Sequence, residues 1–463
     1  MKRRQFIQRA LCATAGSALF SAFNGKLSLA HAAALADGPR LLGEDYRALV
    51  CVYLYGGNDS FNMLVPRSGP PRTAYANARG GLALPVNQLI ALNPANAPGD
   101  GGSYGFSSAM PQLAALFNRT ATPSPLAIVA NVGPLLYPIT KAQYEAGSVP
   151  VPAQLFSHSD QSVTWHKPAA DLAVRRGWGG RLADLFFSSN PNPDLSMNIS
   201  VDGENVFQAG DTVVPYFVGR NGAESIHLVS DDSWNASRRA VFEALRDAPH
   251  GHALQRQYAT VMRRSMANGS AINNALDAAG ALATPFPDSG LGQQLRMVAR
   301  LMQVRGTLQM QRQIFFVGLG GFDTHDNQLE DQAEQLGELD AALAAFHAAT
   351  VELGLDDAVT TFTASEFGRT TSINGDGTDH GWGGHHLVLG GAVAGRRIYG
   401  TLPNLTVEGP DDAGWGQIIP TTAVDQYAAT LSRWYGVPDG QMTTVFPNLG
   451  RFASANLGFM NPA

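Results

Sequence analysis

Five short segments of the chain are nearly continuous in apolar and β-branched residues, at positions 49–55, 126–130, 314–317, 359–363 and 386–389. Uninterrupted apolar runs of this length are typical of strands that are covered on both faces, as in parallel sheets. The pattern therefore predicts that these segments are strands of one buried sheet.

Three other segments carry apolar residues at helical spacing, so that one face of each would enter the core. The stripes are Leu291, Leu295, Val298 and Met302; Leu336, Leu339, Leu343 and Phe346; and Val424, Tyr427, Leu431 and Trp434. We expect the second helix to end near Gly354 and the third to begin from Thr422 as its N-cap, with Asp425 three residues on. Strands that alternate with helices predict an α/β fold with a mostly parallel central sheet.

Residues with metal-binding and catalytic chemistry follow three of these strands. The first strand leads into Asp59, the strand at 314–317 into Asp323 and His325, and the strand at 359–363 into Glu366 and Arg369. Ligand sites of open α/β sheets form beyond the carboxyl ends of the strands. These side chains are therefore candidates for one common site.

A second group of such residues lies just before the last strand. Asp379 and His380 are adjacent, and His385 follows in the same glycine-rich segment. This strand would present its residues at the same edge only if it ran antiparallel. Carboxylate and imidazole ligands together suit zinc, manganese or iron, whereas carboxylates alone suit calcium or magnesium. A structural role stays open as the alternative, such as a turn-capping carboxylate or a buried Glu366–Arg369 ion pair.

The first 32 residues have the features of an export signal. Arg3 and Arg4 precede a short apolar run, and Ala30 and Ala32 frame a small-residue cleavage site. We therefore expect the twin-arginine export machinery as a partner and a periplasmic or secreted mature protein. No later segment is apolar over the length of a membrane span, so no permanent membrane anchor is expected. Residues 33–463 would form a single large domain, with residues 200–290 as an insertion or lid.

The charge of the chain excludes one class of partner. The formal net charge is -6, and the first 32 residues contribute five cations and no acid, which leaves -11 on the remainder. A body this acidic is a poor partner for nucleic acid. The two cysteines, Cys12 and Cys51, fall on either side of the expected cleavage site, so no disulfide is expected in the mature chain.

The ordered motifs resemble those of the secreted bacterial family called domain of unknown function fifteen-oh-one. They are Gly-Gly-Asn-Asp at 56–59, Ser157-His158 followed by Trp165, Gly-Gly-Phe-Asp-Thr-His at 320–325, Ser-Glu-Phe-Gly-Arg-Thr at 365–370 and Asp-His-Gly-Trp-Gly at 379–383. That family is grouped with the alkaline phosphatase and sulfatase superfamily. The resemblance therefore implies a three-layer α/β/α sandwich, like that of alkaline phosphatase.

The resemblance also implies roles for single residues. By their order along the chain, Asp59 would bind one metal ion, while Asp323 and His325 would bind another. Ser157 would be the nucleophile between the two ions. Its spacing from Asp59 is unusually long for the superfamily pattern.

The remaining positions complete this implied site. Glu366 would stand where the superfamily usually has two ligands, so only one is offered there. His380, or else His385, would complete the second metal, with Asp379 as a further candidate ligand. Arg369 would contact the anionic oxygens of the substrate or, as the alternative, pair with Glu366.

These inferences lead to two hypotheses from different classes. The first is an exported, metal-dependent hydrolase of phosphate or sulfate esters, acting on a small-molecule or polymer ester. It would use one or two divalent ions, with zinc expected and manganese, iron or calcium as alternatives. The second is a non-catalytic cell-envelope protein that keeps the fold and at most a structural metal. Metal analysis and ester turnover separate the two hypotheses.

Overall fold

A nine-stranded sheet lies at the centre of the protein in the computed structural model, which describes residues 45–167, 176–224 and 233–461. The expected export signal at 1–32 falls outside these residues. The strands of the central sheet are β1 (Arg47–Leu54), β5 (Leu126–Gly133), β6 (Asn198–Ser200), β7 (Tyr216–Phe217), β8 (Arg312–Leu319), β9 (Val359–Ala364), β10 (Gly384–Leu389), β11 (Ile398–Tyr399) and β12 (Thr422–Ala423). A smaller antiparallel sheet contains β2 (Leu64–Pro66), β3 (Leu89–Ala91) and β4 (Tyr104–Ser107).

The strand order of the central sheet is β11-β5-β10-β9-β1-β8-β6-β7, with β12 also paired to β5. β1 is parallel to both β8 and β9, and β6 is parallel to β8 and β7. β10 runs antiparallel to both of its neighbours, β5 and β9. The start of β10 therefore lies at the edge where β1, β8 and β9 end. The expectation of an α/β fold with a mostly parallel central sheet is confirmed.

The five predicted strands correspond to β1, β5, β8, β9 and β10. Every residue of β5, β8, β9 and β10 is buried, as is all of β1 beyond its first residue. Successive side chains of a strand point to opposite faces, so burial of all of them requires cover on both faces of the sheet. This is why the strands appear in the sequence as continuous apolar runs.

Twelve α-helices occur in the described residues. Those before the last third of the chain are α1 (Ser60–Met63), α2 (Gly69–Arg79), α3 (Pro111–Phe117), α4 (Lys141–Glu145), α5 (His158–His166), α6 (Trp178–Leu185), α7 (Ala236–Asp247), α8 (Ala253–Ala278) and α9 (Gly290–Gln303). The last three are α10 (Gln328–Glu352), α11 (Val424–Tyr435) and α12 (Met442–Val445). The three predicted apolar stripes are buried faces of α9, α10 and α11.

The predicted start of α11 is wrong by one residue. Thr422 belongs to β12, and its hydroxyl donates to the carbonyl of Ala130 at 3.1 Å. Ala423 is the N-cap instead, and its backbone N–H donates to the side chain of Gln426 at 3.0 Å. Thr422 is paired with Val132 of β5 as part of the strand, so the helix begins one residue later.

Residues 200–290 contain both sheet and helix. Their first part includes β7, which is the edge strand of the central sheet. The helix α7 that follows buries none of its residues, and α8 exposes Leu254, Tyr258 and Val261 along one face. Within the part of the chain that the structure describes, no helix is both long and apolar enough to cross a membrane.

Candidate metal centre

The carboxyl ends of β1, β8 and β9 meet the start of β10 at one edge of the central sheet. The loop after β8 carries Asp323 and His325, and the loop after β9 carries Arg369. A backbone bridge between Arg369 and His380 brings the second histidine back to the same edge. The third is His158, the first residue of α5. Residues far apart in the sequence thus converge because the parallel strands end together.

Three imidazole rings and one carboxylate meet at this edge. His380 Nε2 lies 3.1 Å from His158 Nε2 and 3.1 Å from His325 Nε2. The oxygens of Asp323 lie 3.0–3.3 Å from all three nitrogens. His158, Asp323 and His380 each offer a ligand atom within 4.8 Å of the others, so this group could hold a metal ion.

The hydrogen-bond partner of each histidine Nδ1 determines whether the Nε2 atom of the same ring has a free lone pair. His158 Nδ1 lies 3.0 Å from Glu366 Oε1, and His380 Nδ1 lies 2.7 Å from the carbonyl oxygen of Phe156. An ionised carboxylate and a carbonyl only accept hydrogen bonds, so both Nδ1 atoms carry the proton. In a neutral imidazole the Nε2 atom is then an unprotonated lone pair.

His325 follows the same rule. Its Nδ1 lies 3.1 Å from Asp379 Oδ1, which also accepts from Asn374 Nδ2 at 2.7 Å. The three Nε2 atoms and a carboxylate therefore face one another at close range, an arrangement that a bound cation or a proton on one of the rings would stabilise. An oxygen acceptor on the remote ring nitrogen is also the usual arrangement of metal-bound histidines. The donor set of imidazole and carboxylate fits zinc, manganese or iron.

Arg369 fixes the carboxylate of the cluster. Its side chain has no exposed surface and donates to Asp323 Oδ1 at 2.6 Å, to the carbonyl of Gly56 at 3.2 Å and to Thr378. Burial alone would raise the pKa of Asp323, but the hydrogen bond and charge of Arg369 outweigh it and hold that pKa below its usual value. Asp323 is therefore ionised, as a metal ligand must be.

The protonation of two histidines is biased in opposite directions. The hydrogen bond to Glu366 raises the pKa of His158 above its ordinary value. Burial lowers the pKa of His380, which favours its neutral form and leaves the Nε2 lone pair free.

The backbone around the cluster needs unusual conformations. Phe156, whose carbonyl holds His380, has a φ of +70°, and Gln154 has a φ of +52°. A Cβ on Gly56 would lie 2.4 Å from the backbone nitrogen of Asp323, so only glycine fits there. Left-handed non-glycine residues of this kind concentrate at functional sites.

Asp59 was expected to bind a metal, and the structure gives it another role. It is buried and is not a member of the cluster. Its Oδ1 accepts from Arg79 at 2.6 Å and from the backbone of Phe61 at 3.2 Å, and its Oδ2 contacts Gln328. A carboxylate whose oxygens are taken up by a buried guanidinium and an amide is a structural ion pair.

His385 is also displaced from the expected ligand set. It lies inside the sheet, where its Nδ1 accepts from the backbone N–H of Asn131 at 3.1 Å and its ring packs edge-on against Phe61. Burial lowers the pKa of His385 to about 3, so the ring is neutral.

The two expected catalytic residues contact other groups than predicted. Ser157 Oγ donates to Asp160 Oδ2 at 2.6 Å, and the residue that this segment contributes to the cluster is His158. Arg369 is enclosed by its partners, so it orients Asp323 instead of reaching a substrate. The alternative expected for Arg369, an ion pair with Glu366, is not found, because Glu366 is paired with His158 and not with the guanidinium.

The remaining expected ligands all lie at the cluster, some within it and others as hydrogen-bond acceptors for its histidines. Asp323 and His380 belong to the group that could hold a metal, and His325 adjoins them. Glu366 and Asp379 stand behind the histidines as acceptors. The sequence does not predict His158 as a ligand, although His158 belongs to the Ser157-His158 motif. A histidine at the first position of a helix, next to a serine, was the available signal.

A family model described as "Protein of unknown function (DUF1501)" matches residues 46–413, which is more than half of the chain. The chain belongs to this family. The residues of the DUF1501 match include all four members of the imidazole and carboxylate cluster. The expected family is thus confirmed, and the site lies within the region that defines it.

Other comparisons add little to this family membership. No curated protein sequence matches the chain. A solved structure titled "Crystal structure of Ps i-CgsB in complex with k-i-k-neocarrahexaose" is similar at 10% sequence identity and a TM-score of 0.30, covering 86% of this chain and 74% of that chain. Similarity at this level does not establish a shared fold.

Proposed function

We propose that this protein is a metal-dependent hydrolase of phosphate or sulfate esters. The observation that carries the proposal is the convergence of three histidine Nε2 atoms on the carboxylate of Asp323, each with its Nδ1 proton held by an oxygen. A site built to present lone pairs to a cation at the carboxyl edge of a parallel sheet is a common setting for hydrolytic chemistry.

His158, Asp323 and His380 would hold the cation, with His325 as a fourth donor. Zinc fits the donor set best, and manganese or iron fit the same ligands. A divalent cation bound there would supply Lewis-acid stabilisation of the charge that develops on the ester oxygens. Metal analysis decides whether one ion or two would be bound.

The charges of the site explain why the cation would be needed to bind an ester anion. Three carboxylates, Asp323, Glu366 and Asp379, stand against one guanidinium, that of Arg369. The guanidinium is enclosed and cannot reach a substrate. An anionic ester would therefore be repelled by the protein alone and attracted once a divalent ion offsets the excess of negative charge.

The chain's own residues have orienting roles in this mechanism. Glu366 and Asp379 fix the ring orientations of His158 and His325, and Arg369 keeps Asp323 ionised. The side chains of Asp323 and His325 are 44% and 43% exposed, so the substrate would approach from their side. Because Ser157 is bonded to Asp160, we favour water over Ser157 as the nucleophile.

The test combines metal analysis with turnover. The purified protein should contain about one or two equivalents of metal per chain and hydrolyse an aryl phosphate or aryl sulfate, with the activity lost to a chelator and restored by the metal. His380→Ala should lose both metal and turnover, whereas His250→Ala, outside the cluster, should keep both. Ser157→Ala should stay active; its inactivity would instead assign the serine as nucleophile. A folded, metal-free wild-type protein without turnover would refute the proposal.

One observation favours the second hypothesis, a non-catalytic cell-envelope protein. Asp59, the carboxylate expected to bind a separate metal ion, is paired with Arg79 instead. A protein that retains stoichiometric metal, loses thermal stability when the metal is removed and turns over neither ester would be of this second kind.

We also propose the finer assignments that go with the hydrolase. They are a three-layer alkaline phosphatase-like sandwich over residues 33–463, export through the twin-arginine machinery with residues 1–32 as signal, and residues 200–290 as an insertion or lid. Burial of the central strands on both faces supports the layered arrangement. Amino-terminal sequencing of the protein recovered from the periplasm or medium tests the export signal, since cleavage should follow Ala32.

A further inference from the structure

Trp415 is an exposed aromatic residue on a loop that is hydrogen-bonded to the segment carrying His380. Its side chain is 86% exposed, more than any other large hydrophobic residue in the described part of the chain. Four other tryptophans, Trp165, Trp178, Trp382 and Trp434, are buried. A large exposed indole loses the contribution that its burial would make to stability, so a rigid outward position requires an explanation.

The backbone at Trp415 is held in a conformation that bulky residues rarely adopt. Gly414, Trp415 and Gly416 have φ values of +137°, +57° and +81° in succession. Only the two glycines tolerate this region freely, and a tryptophan there is an outlier. Three successive left-handed residues form a tight turn that projects the central side chain away from the protein.

A buried carboxylate fixes this turn. Asp412 has no exposed surface, and its two oxygens accept from the backbone N–H groups of Glu408, Gly414 and Gly416 at 2.7–3.1 Å. On the other side, the hydroxyl of Ser372 donates to the carbonyl of Trp415. The indole is therefore attached to a fully bonded, rigid loop and not to a flexible one.

The same loop is hydrogen-bonded to two segments that carry residues of the candidate metal centre. Gln417, two residues after the indole, donates from its side chain to the carbonyl of His380 at 3.2 Å. The backbone N–H of Thr371 donates to the carbonyl of Gly416 at 2.8 Å, and Thr371 is two residues from Arg369. Through these two hydrogen bonds, the turn is held against the segments that carry His380 and Arg369.

We propose that Trp415 is a substrate subsite, on which a ring in the alcohol part of the ester stacks while its anionic group lies at the metal centre. This inference rests on the proposed ester hydrolase activity and names its substrate class as ring-bearing esters. A flat indole face binds the apolar face of a sugar or aromatic ring, whereas an open-chain alcohol offers no such face. Rigid attachment lowers the entropy lost on binding.

The test compares ring-bearing and open-chain esters on the metal-loaded protein. Phenyl phosphate and glucose 6-phosphate provide an aromatic and a sugar ring, and glycerol 3-phosphate provides none; the sulfate esters are measured in parallel. Trp415→Ala should raise KM for a ring ester about tenfold with kcat unchanged, and should leave KM for the glycerol ester within about twofold. Trp415→Phe should retain most of the effect. Trp234→Ala, a 61% exposed tryptophan elsewhere, is the matched control and should change neither constant.

The outcomes separate this inference from the proposed function. An equal effect of Trp415→Ala on ring and open-chain esters, or no effect, overturns the subsite and leaves the hydrolase intact. If the wild-type protein turns over no ester, calorimetric titration with the same three esters decides. Ring-selective binding that Trp415→Ala abolishes supports the subsite although the hydrolase fails, and the absence of ring-selective binding overturns the subsite as well. The ring that responds shows whether sugar or aryl esters are preferred.

Discussion

Replacement of Glu366 by glutamine is the sharpest test of how the candidate metal centre is organised. Glu366 Oε1 accepts from His158 Nδ1 at 3.0 Å and from the backbone N–H of Gly56 at 2.8 Å. Glutamine keeps the size of the side chain and one acceptor oxygen, but it removes the charge that makes His158 a stronger ligand.

The expected loss follows from the role of such supporting groups. Removing an outer partner of a metal-bound histidine typically weakens metal affinity by about 10–100-fold, which corresponds to about 1.4–2.7 kcal/mol. We expect Glu366→Gln to fall at the lower end of this range, because its amide oxygen can still orient the ring. Glu366→Ala should fall at the upper end, since it removes the acceptor from both His158 and Gly56.

The assay is a competition titration of zinc against a chromophoric chelator at one fixed pH. Glu352→Gln is the matched control, because Glu352 also accepts backbone N–H bonds, from Ala283 and Thr284, but far from the cluster along the chain. That variant should bind zinc like the wild-type protein. If folded Glu366→Gln and Glu366→Ala both bound zinc with wild-type affinity, the inference that Nδ1 acceptors organise this centre would be refuted.

Three further predictions concern ion pairing and buried ionisable groups. Arg369→Lys keeps a cation beside Asp323 but loses the fork that also reaches Gly56 and Thr378, so we expect zinc affinity to drop by about 10-fold or more; an unchanged titration would contradict this. Burial lowers the pKa of His385 and His386 to about 3 each, so both are neutral in the fold and take up protons on unfolding below their ordinary pKa near 6.5. The contribution of these histidines to the free energy of unfolding should therefore be fully present above pH 6.5. Below pH 6.5 the free energy of unfolding should fall by up to about 1.4 kcal/mol per histidine and pH unit. Urea unfolding of chelator-treated protein between pH 7.5 and 5 measures this, and the absence of a decline would exclude the effect. Burial raises the pKa of Asp425 to about 8, so this group opposes folding as the pH rises from about 4 to 8. Asp425→Asn should accordingly stabilise the protein at pH 7 by up to about 4 kcal/mol, with little gain near pH 4, as measured by the same unfolding curves.

The clustering of carboxylates and histidines along the chain predicted much of the candidate site. Asp323 and His325, and likewise Asp379 and His380, stand close together in glycine-rich loops next to strands, and that clustering was visible without coordinates. Two residues with the same local sequence context can nevertheless have different roles in the fold. Asp59 follows a strand in the same way as Asp323, yet Arg79 from α2 pairs with it and removes it from the site.

His158 shows the opposite error. Nothing near it in the chain marks it as a ligand, because its partners Glu366 and His380 are more than two hundred residues away. Only the packing of α5 against the edge of the sheet brings the three together. The adjacent Ser157 has the more familiar chemistry of a nucleophile, but the helix turns its hydroxyl toward Asp160.

The sequence by itself determined the strands, the helices of the core and the α/β class. The spacing of apolar residues follows from which faces of a strand or helix are buried, so it is visible within each segment. It also determined the family. The tertiary structure decided which residues form the candidate metal centre, the enclosure of Arg369 and the outward position of Trp415. All three depend on which residues from distant parts of the chain pack against one another and on how much of each side chain stays exposed to solvent. The neighbours of a residue along the chain determine neither of these.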